Sequence, residues 1–280
     1  MKTFELKKTS DKSIFRVLDR NGDWDHYFHK PSGTYLRAVN AILSNGYAKG
    51  PRFAEWLKTH TKEDAEEILK TAGERGDRVH QGIFILLADG EIGRNTQVIA
   101  EDNKTNVSLS NDEWDCLLAF GEFWNRHDAQ LISQDVVSYH LGLGYAGTID
   151  AIAKLTKNCG VKYCSCAKFI GEKGLFDWKS SGSIYGSYGA QVAAYRFGEN
   201  IEKEYKDVSY TAIVRVGTNH KSTGGYEFEP YDGVETSVHI NEFMAAITIA
   251  KADYKPFNQD SIKEVPDTIS IKKTIKVKSK

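Results

Sequence analysis

Gly147-Thr148-Ile149-Asp150 and Phe176-Asp177-Trp178-Lys179 each lie in a short run, 145–155 and 173–179, rich in β-branched and aromatic residues. Both runs read as strands. Residues i and i+2 of a strand share a face, so Asp177 and Lys179 project together while Trp178 points to the other side. If the two strands pair, Asp150 joins them, and two carboxylates meet one ammonium. That grouping is costly unless further opposite charge balances it.

Two more runs, 131–139 and 161–167, have the same character, and the four together suggest an antiparallel meander. Ahead of them the period is helical. Ser32 as a cap, followed by Tyr35, Leu36, Val39, Ile42 and Leu43, predicts a helix that Asn45-Gly46 stops, and a second helix carries Phe53, Trp56 and Leu57. Along 62–87, Ala65, Ile68, Leu69, Ala72, Val79, Ile83 and Leu86 make an apolar stripe interrupted by Gly73 and Gly76, which predicts a helix, a break and another helix. Residues 91–107 read as loop or weak strands, 111–127 as a helix, 186–205 as one helix, 211–216 as a strand, a polar turn after Thr223-Gly224-Gly225, and 238–252 as a last helix. Residues 1–30 are a polar lead-in or short strand pair. The expected class is α+β, or mixed α/β, built on one central mixed sheet flanked by helices. Three regions follow: a lead-in and helical region over 1–130, a core over 131–254, and a flexible basic tail over 255–280.

The 280 residues are 40 % hydrophobic and 27 % charged, which excludes disorder and collagen. The longest apolar run, 83–88, is far short of the roughly 18 to 20 residues that span a bilayer. Residues 1–8 contain no signal-peptide apolar region, so the expected location is the cytoplasm, with no membrane partner. Cys116, Cys159, Cys164 and Cys166 are too few for a disulfide scaffold in a chain this long. The last three are spaced C-x4-C-x-C, half of a metal site at most, because no second pair or nearby His completes a tetrahedral set; ordinary strand or turn cysteines are expected. The net charge of −1 removes the simplest argument for nucleic-acid binding, a strongly basic chain, although a local basic channel is compatible with it.

A divalent cation is the natural partner for two carboxylates at one spot, since Mg²⁺ prefers hard oxygen ligands and keeps several waters. Such an ion serves phosphodiester hydrolysis, and Lys179 would orient the attacking water or offset developing negative charge. Gln191 and Tyr195 are four apart and share a helical face, so both reach one place. The imidazole of His80, in Arg75-Gly76-Asp77-Arg78-Val79-His80, is a further candidate metal ligand.

In this order, on helix, strand, strand and helix, His80, Gly147-Thr148-Ile149-Asp150, Asp177-Trp178-Lys179-Ser180-Ser181 and Gln191-Val192-Ala193-Ala194-Tyr195 resemble the motifs of the PD-(D/E)xK nuclease superfamily. The Gln-x3-Tyr resembles its RecB-like branch, which includes Cas4-type and phage exonucleases and the mitochondrial genome maintenance exonuclease. The resemblance takes in Pro31-Ser32-Gly33-Thr34, the Trp56 helix, Arg75-Gly76 and the strand after the Gln-Tyr helix, roughly residues 31–250. It implies a restriction-endonuclease-like core in which Asp150 and Asp177 hold Mg²⁺ or Mn²⁺, with the Trp178 main-chain carbonyl and His80 as further ligands. Lys179 would handle the water, and Gln191 and Tyr195 would position substrate or the lysine. Many members have Glu in place of Asp177. An acidic residue one strand earlier is common, and Asp135 is the best candidate here. Members with an iron–sulfur cluster place three cysteines after the Gln-Tyr helix, whereas all four here precede Gln191, so no iron–sulfur cluster is expected. No Walker loop is present, which implies a free-standing nuclease. The implied activity is that of a metal-dependent exodeoxyribonuclease on single-stranded or frayed duplex DNA ends, in a bacterial or phage-infected cell, with a single-strand-binding or recombination protein as a further partner. An endonuclease of the same fold and a non-catalytic DNA-binding or assembly protein are the alternatives.

Overall fold

The computed structural model describes residues 6–8, 11–17, 25–100, 105–162, 164–217 and 224–252. The chain opens with β1 (Leu6–Lys8), β2 (Ile14–Val17), β3 (His26–His29) and β4 (Thr34–Ala38), each antiparallel to the one before. Next come α1 (Val39–Gly46), α2 (Pro51–Lys58), α3 (Lys62–Asp89), the hairpin β5 (Gln97–Ile99) and β6 (Asn106–Ser108), and α4 (Asn111–Arg126). β7 (Ala129–His140), β8 (Tyr145–Leu155) and β9 (Lys173–Lys179) form the antiparallel meander. The chain continues with α5 (Gly186–Arg196), α6 (Glu199–Glu204), β10 (Val208–Val216), β11 (Tyr226–Tyr231) and α7 (Gly233–Ala252). One 9-stranded sheet runs β1-β2-β3-β4-β8-β9-β10-β11, with β7 also paired to β8. β4 is parallel to β8 and β10 to β9, so the sheet is mixed and the class is α+β.

Helices cover both faces. On one, Val79, Ile83, Phe120 and Phe123 of α3 and α4 meet Ala151, Phe176, Trp178 and Val214. On the other, Ile42, Val192 and Phe243 of α1, α5 and α7 meet Tyr145, Ile149, Leu175 and Ile213. Each of these large side chains contributes roughly 1.5–3 kcal/mol by leaving water. α4 starts at a capping box in which Ser110 and Glu113 each accept the other's backbone N–H, and Glu113 also takes Arg78 Nε at 2.7 Å, which ties α3 to α4.

Several local expectations are corrected by tertiary context. Residues 34–38 are strand, not the start of a helix, because Leu36 pairs with Tyr27 and Arg37 with Tyr145, so both sides of β4 are taken up by the sheet. α3 passes through Gly73 and Gly76 without a break. Each glycine costs about 1 kcal/mol relative to alanine. The Thr61 cap, the left-handed stop at Gly90 and burial of Val79 and Ile83 offset that cost. The 186–205 segment is two helices, because the backbone at Gly198 packs on β7 so closely that a Cβ would meet Ser138 Oγ at 2.1 Å. Residues 161–167 are not a strand. Those described, 161, 162 and 164–167, form a turn and the start of a 3-10 helix, Ser165–Phe169, so the meander has three strands rather than four. β11 lies where only a polar turn is expected, and its alternating Tyr226 and Phe228 are buried. The 255–280 tail lies outside the described residues. Among the described residues, no helix is long and apolar enough to cross a membrane.

Candidate active site

β8 and β9 pair only from Ala151↔Phe176 to Lys154↔Lys173. Past that point β8 continues with β7, and β9 with β10, so the sheet forks. Asp150 and Asp177 are the first residues beyond the last pair. The side-chain alternation of β8 also slips there: Tyr145 and Ile149 pack on the α5 side, whereas Ala151, Ala153 and Leu155 pack on the α4 side. The slip turns Asp150 into the fork. Its Oδ2 accepts the Trp178 N–H at 2.7 Å, a donor the diverging strands leave without a backbone partner.

Four groups converge on the two acids. Lys179 Nζ is 2.5 Å from Asp177 Oδ2, and Gln191 Nε2 donates to Asp177 Oδ1 at 3.1 Å. Gln191 also donates to Tyr195 Oη at 2.8 Å. His80 Nδ1 lies 3.2 Å from Asp150 Oδ1. Thus His80, Asp150, Asp177, Lys179, Gln191 and Tyr195 lie together at one place, the set that the resemblance implies. Trp178 enters it through its N–H, while its ring is buried between Phe120 and Phe176. The edge of the Tyr195 ring lies against Gly147, where an added Cβ would sit 2.3 Å from Cε1, so the glycine of Gly-Thr-Ile-Asp leaves the tyrosine its place beside the glutamine.

Burial pushes the Asp177 carboxyl up, against the pull of Lys179, to about 6. Asp150 is driven the other way: burial raises it, but the His80 charge and hydrogen bond, Lys179 and the Trp178 N–H together leave it below the usual carboxylate range. Burial likewise lowers His80, yet the Asp150 charge and hydrogen bond outweigh it and bring the imidazole up to about 9. Lys179 is held above its ordinary value by Asp177 and Asp150 despite desolvation. The site is therefore an acid pair whose charge is met, without a metal, by one lysine and one protonated histidine.

That arrangement has a pH signature. His80 keeps its proton to about pH 9 when folded and to its ordinary 6.5 when unfolded, so its stabilisation is complete below 6.5 and lost as pH rises through 9. Melting temperatures measured from pH 6 to 9.5 without added divalent cation should fall more steeply for wild type than for His80→Ala. Parallel slopes would remove the charged His80–Asp150 pair.

Some contributors escape a reading by motif. The Lys179 ammonium stands over the Tyr188 ring at 4.8 Å, and Tyr188 completes an i, i+3, i+7 row with Gln191 and Tyr195 that helical spacing alone could have supplied. Arg75 donates to the Ser180 carbonyl at 2.8 Å and Arg215 to the Gly182 carbonyl at 3.0 Å, which pins the turn after Lys179 from both sides. Arg215, across from Lys179 in β10, carries no local sequence signal because its role depends on strand order. Asp135 falls opposite Asp150, between the pairs Gln134↔Ala151 and Val136↔Ile149, with a left-handed φ of 53°. Such a backbone is rare outside glycine. No family model and no curated protein matches the chain.

Proposed function

We propose that the protein is a metal-dependent nuclease that hydrolyses phosphodiester bonds in DNA, acting as an exonuclease on single-stranded or frayed ends. The observation that carries this reading is the meeting of Asp150, Asp177, Lys179 and His80 at the fork between β8 and β9. Two carboxylates on diverging strands with an imidazole beside them fit a hard divalent cation such as Mg²⁺ or Mn²⁺. Asp150, Asp177 and His80 would hold it, with the Trp178 carbonyl as a further oxygen. Bound there, the ion supplies a water of lowered pKa and offsets charge on the phosphoryl oxygens.

The protein's own groups do the rest. Lys179, released from Asp177, orients the water and meets the negative charge that builds on the phosphate. Gln191 holds Asp177 Oδ1 in place and is itself held by Tyr195. Arg75 and Arg215 keep the 180–182 turn, and with it Lys179, from drifting. The half-buried row Phe53, Trp56 and His60, with tilted rings whose centroids are 5.5 and 4.6 Å apart, supports the single-strand preference, since unpaired bases stack on aromatic rings regardless of sequence. A groove lined by His60, Asp64, Glu67, Ile68, Thr71, Ala72 and Arg75 connects His60 of that row with Arg75, the residue that holds the Ser180 carbonyl; its two acids would face away from, or be screened from, a bound phosphate chain.

The test uses end-labelled linear single-stranded, linear duplex and closed circular DNA with Mg²⁺, with Mn²⁺ and with no added divalent cation. Linear DNA should be lost only with metal, and circles should survive. Lys179→Ala should slow cleavage by at least about 10²-fold with the fold intact, because it removes a charge aimed at the transition state. His80→Ala should cost less and change the preference between the two metals. Cutting of circles would move the activity to an endonuclease. No cleavage with either metal, or full activity in Lys179→Ala, would overturn the assignment and leave a DNA-binding protein to be tested by binding.

A further inference from the structure

We infer that His127, Cys159, Cys164 and Cys166 form a structural zinc site that staples the β8–β9 connection to the end of α4. One ligand atom from each residue lies within 4.8 Å of all the others. Cys159 and Cys166 sulfurs are 3.6 Å apart, and Cys164 Sγ is 3.5 Å from His127 Nε2. Tetrahedral zinc with bonds near 2.3 Å to sulfur and 2.0–2.1 Å to nitrogen requires S···S of about 3.8 Å and S···N of about 3.6 Å. Those two separations already match, and the others, all within 4.8 Å, need closing by about 1 Å at most. The sequence offers no nearby histidine, so the set becomes complete only when the fold brings the end of α4 beside the 156–172 connection.

His127 is held as a metal-binding histidine is held. It is fully buried, and its Nδ1 donates to the Phe123 carbonyl at 2.7 Å, which leaves Nε2 facing the sulfurs. Its own carbonyl accepts the N–H groups of Thr156 and Lys157 at 3.1 and 2.9 Å, so the end of β8 is docked on the same residue. Phe123, Tyr226 and Phe228 pack around the ring and exclude water on that side. All four ligand atoms lie within 4.8 Å of one another. A four-iron cluster, whose ligands each bind a different iron, needs them further apart, and a two-iron cluster needs them in two separated pairs.

The connection needs such a clamp. Among the described residues of 156–172 the regular structure is the 3-10 helix Ser165–Phe169, and long loops of this kind are uncommon in compact domains unless something orders them. Zinc bound by three thiolates and a neutral imidazole would do so, each thiol giving its proton to solvent as it binds. The consequence reaches the fork, because this connection joins the strands that carry Asp150 and Asp177.

The test is metal analysis of the full-length protein purified in reductant without chelator. About one zinc per chain is expected in wild type and in the Asp150→Ala/Asp177→Ala double variant, and a loss of at least tenfold in Cys166→Ala and in His127→Ala. If those two variants do not fold, wild type from cobalt-supplemented medium should show the ligand-field absorption of tetrahedral cobalt with thiolate charge transfer. Wild type without zinc that takes up none when supplied, iron with visible absorption, a Cys159–Cys166 disulfide, or zinc unchanged in Cys166→Ala would each overturn the site. Zinc lost only in the double carboxylate variant would assign the metal to the fork instead, and overturn it too.

Discussion

Asp177→Asn leaves the protein folded, lowers cleavage of linear DNA by on the order of 10³-fold, and raises the melting temperature at pH 8 in the absence of divalent cation. Asparagine has the shape of the aspartate and still accepts from Gln191, but it supplies no charge for a cation. The gain in stability follows from burial. Asp177 is 2 % exposed, and its carboxyl titrates near 6 in the folded protein against an ordinary 3.8. A folded-state value raised in this way means the folded chain holds a proton that the unfolded chain releases, so wild-type stability falls as pH climbs from about 4 to about 6 and stays down above. Asparagine does not pass through that loss. The difference between the two proteins should therefore be small near pH 4 and reach about 3 °C or more by pH 7. Thermal melts at half-unit pH intervals check it. A variant less stable than wild type at pH 8 would mean that the ion pair with Lys179 outweighs the desolvation of the acid.

Gly147→Ala should destabilise by roughly 1–3 kcal/mol, as overpacking of a rigid core does, and cut the cleavage rate at least tenfold although residue 147 touches no metal ligand. The added methyl would lie 2.3 Å from Tyr195 Cε1. Tyr195 cannot retreat. Its carbonyl is held by Ser138 Oγ at 2.7 Å and its hydroxyl by Gln191 at 2.8 Å. Displacing the ring therefore pulls Gln191 away from Asp177 Oδ1. Adding Tyr195→Ala relieves the collision, so the double variant should be more stable than the sum of the two single changes, with a coupling above 0.5 kcal/mol. Strict additivity would show that the ring has room to move.

Two pairs within the site are readable from the sequence because their geometry is local, whereas His80 meets Asp150, 70 positions on, only in the fold. Asp177 and Lys179 share a strand face, Gln191 and Tyr195 a helix face, and no tertiary information is needed to pair them. Glu113 and Ser110 announce the start of α4 in the same way. What fails is whatever depends on a partner distant in sequence. Thr34–Ala38 becomes strand through Tyr27 and Tyr145, Arg215 reaches the site only because β10 lies beside β9, and His127 meets three cysteines only after α4 has packed. The 161–167 run shows the limit from the other side: its valine, tyrosine and cysteines have strand composition, yet its described residues are a turn and a 3-10 helix with the two cysteines gathered on His127.

α3 is an unbroken rod of 28 residues, about 42 Å long at 1.5 Å per residue. Three of its four buried positions, Val79, Gly82 and Ile83, lie in the second half. The first half is in effect a cantilever, and His80 sits close to where the beam enters the wall. A sideways load at the free end is large in displacement there and small at the imidazole. Under the proposed function, strands of different bulk would press on the tip, where α2 and its rings are attached, with little displacement at the His80–Asp150 contact. Amide exchange should record the same gradient, fast over 62–74 and slow over 79–88. Compliance is placed where a long polymer would arrive, and stiffness where a bond would be cut.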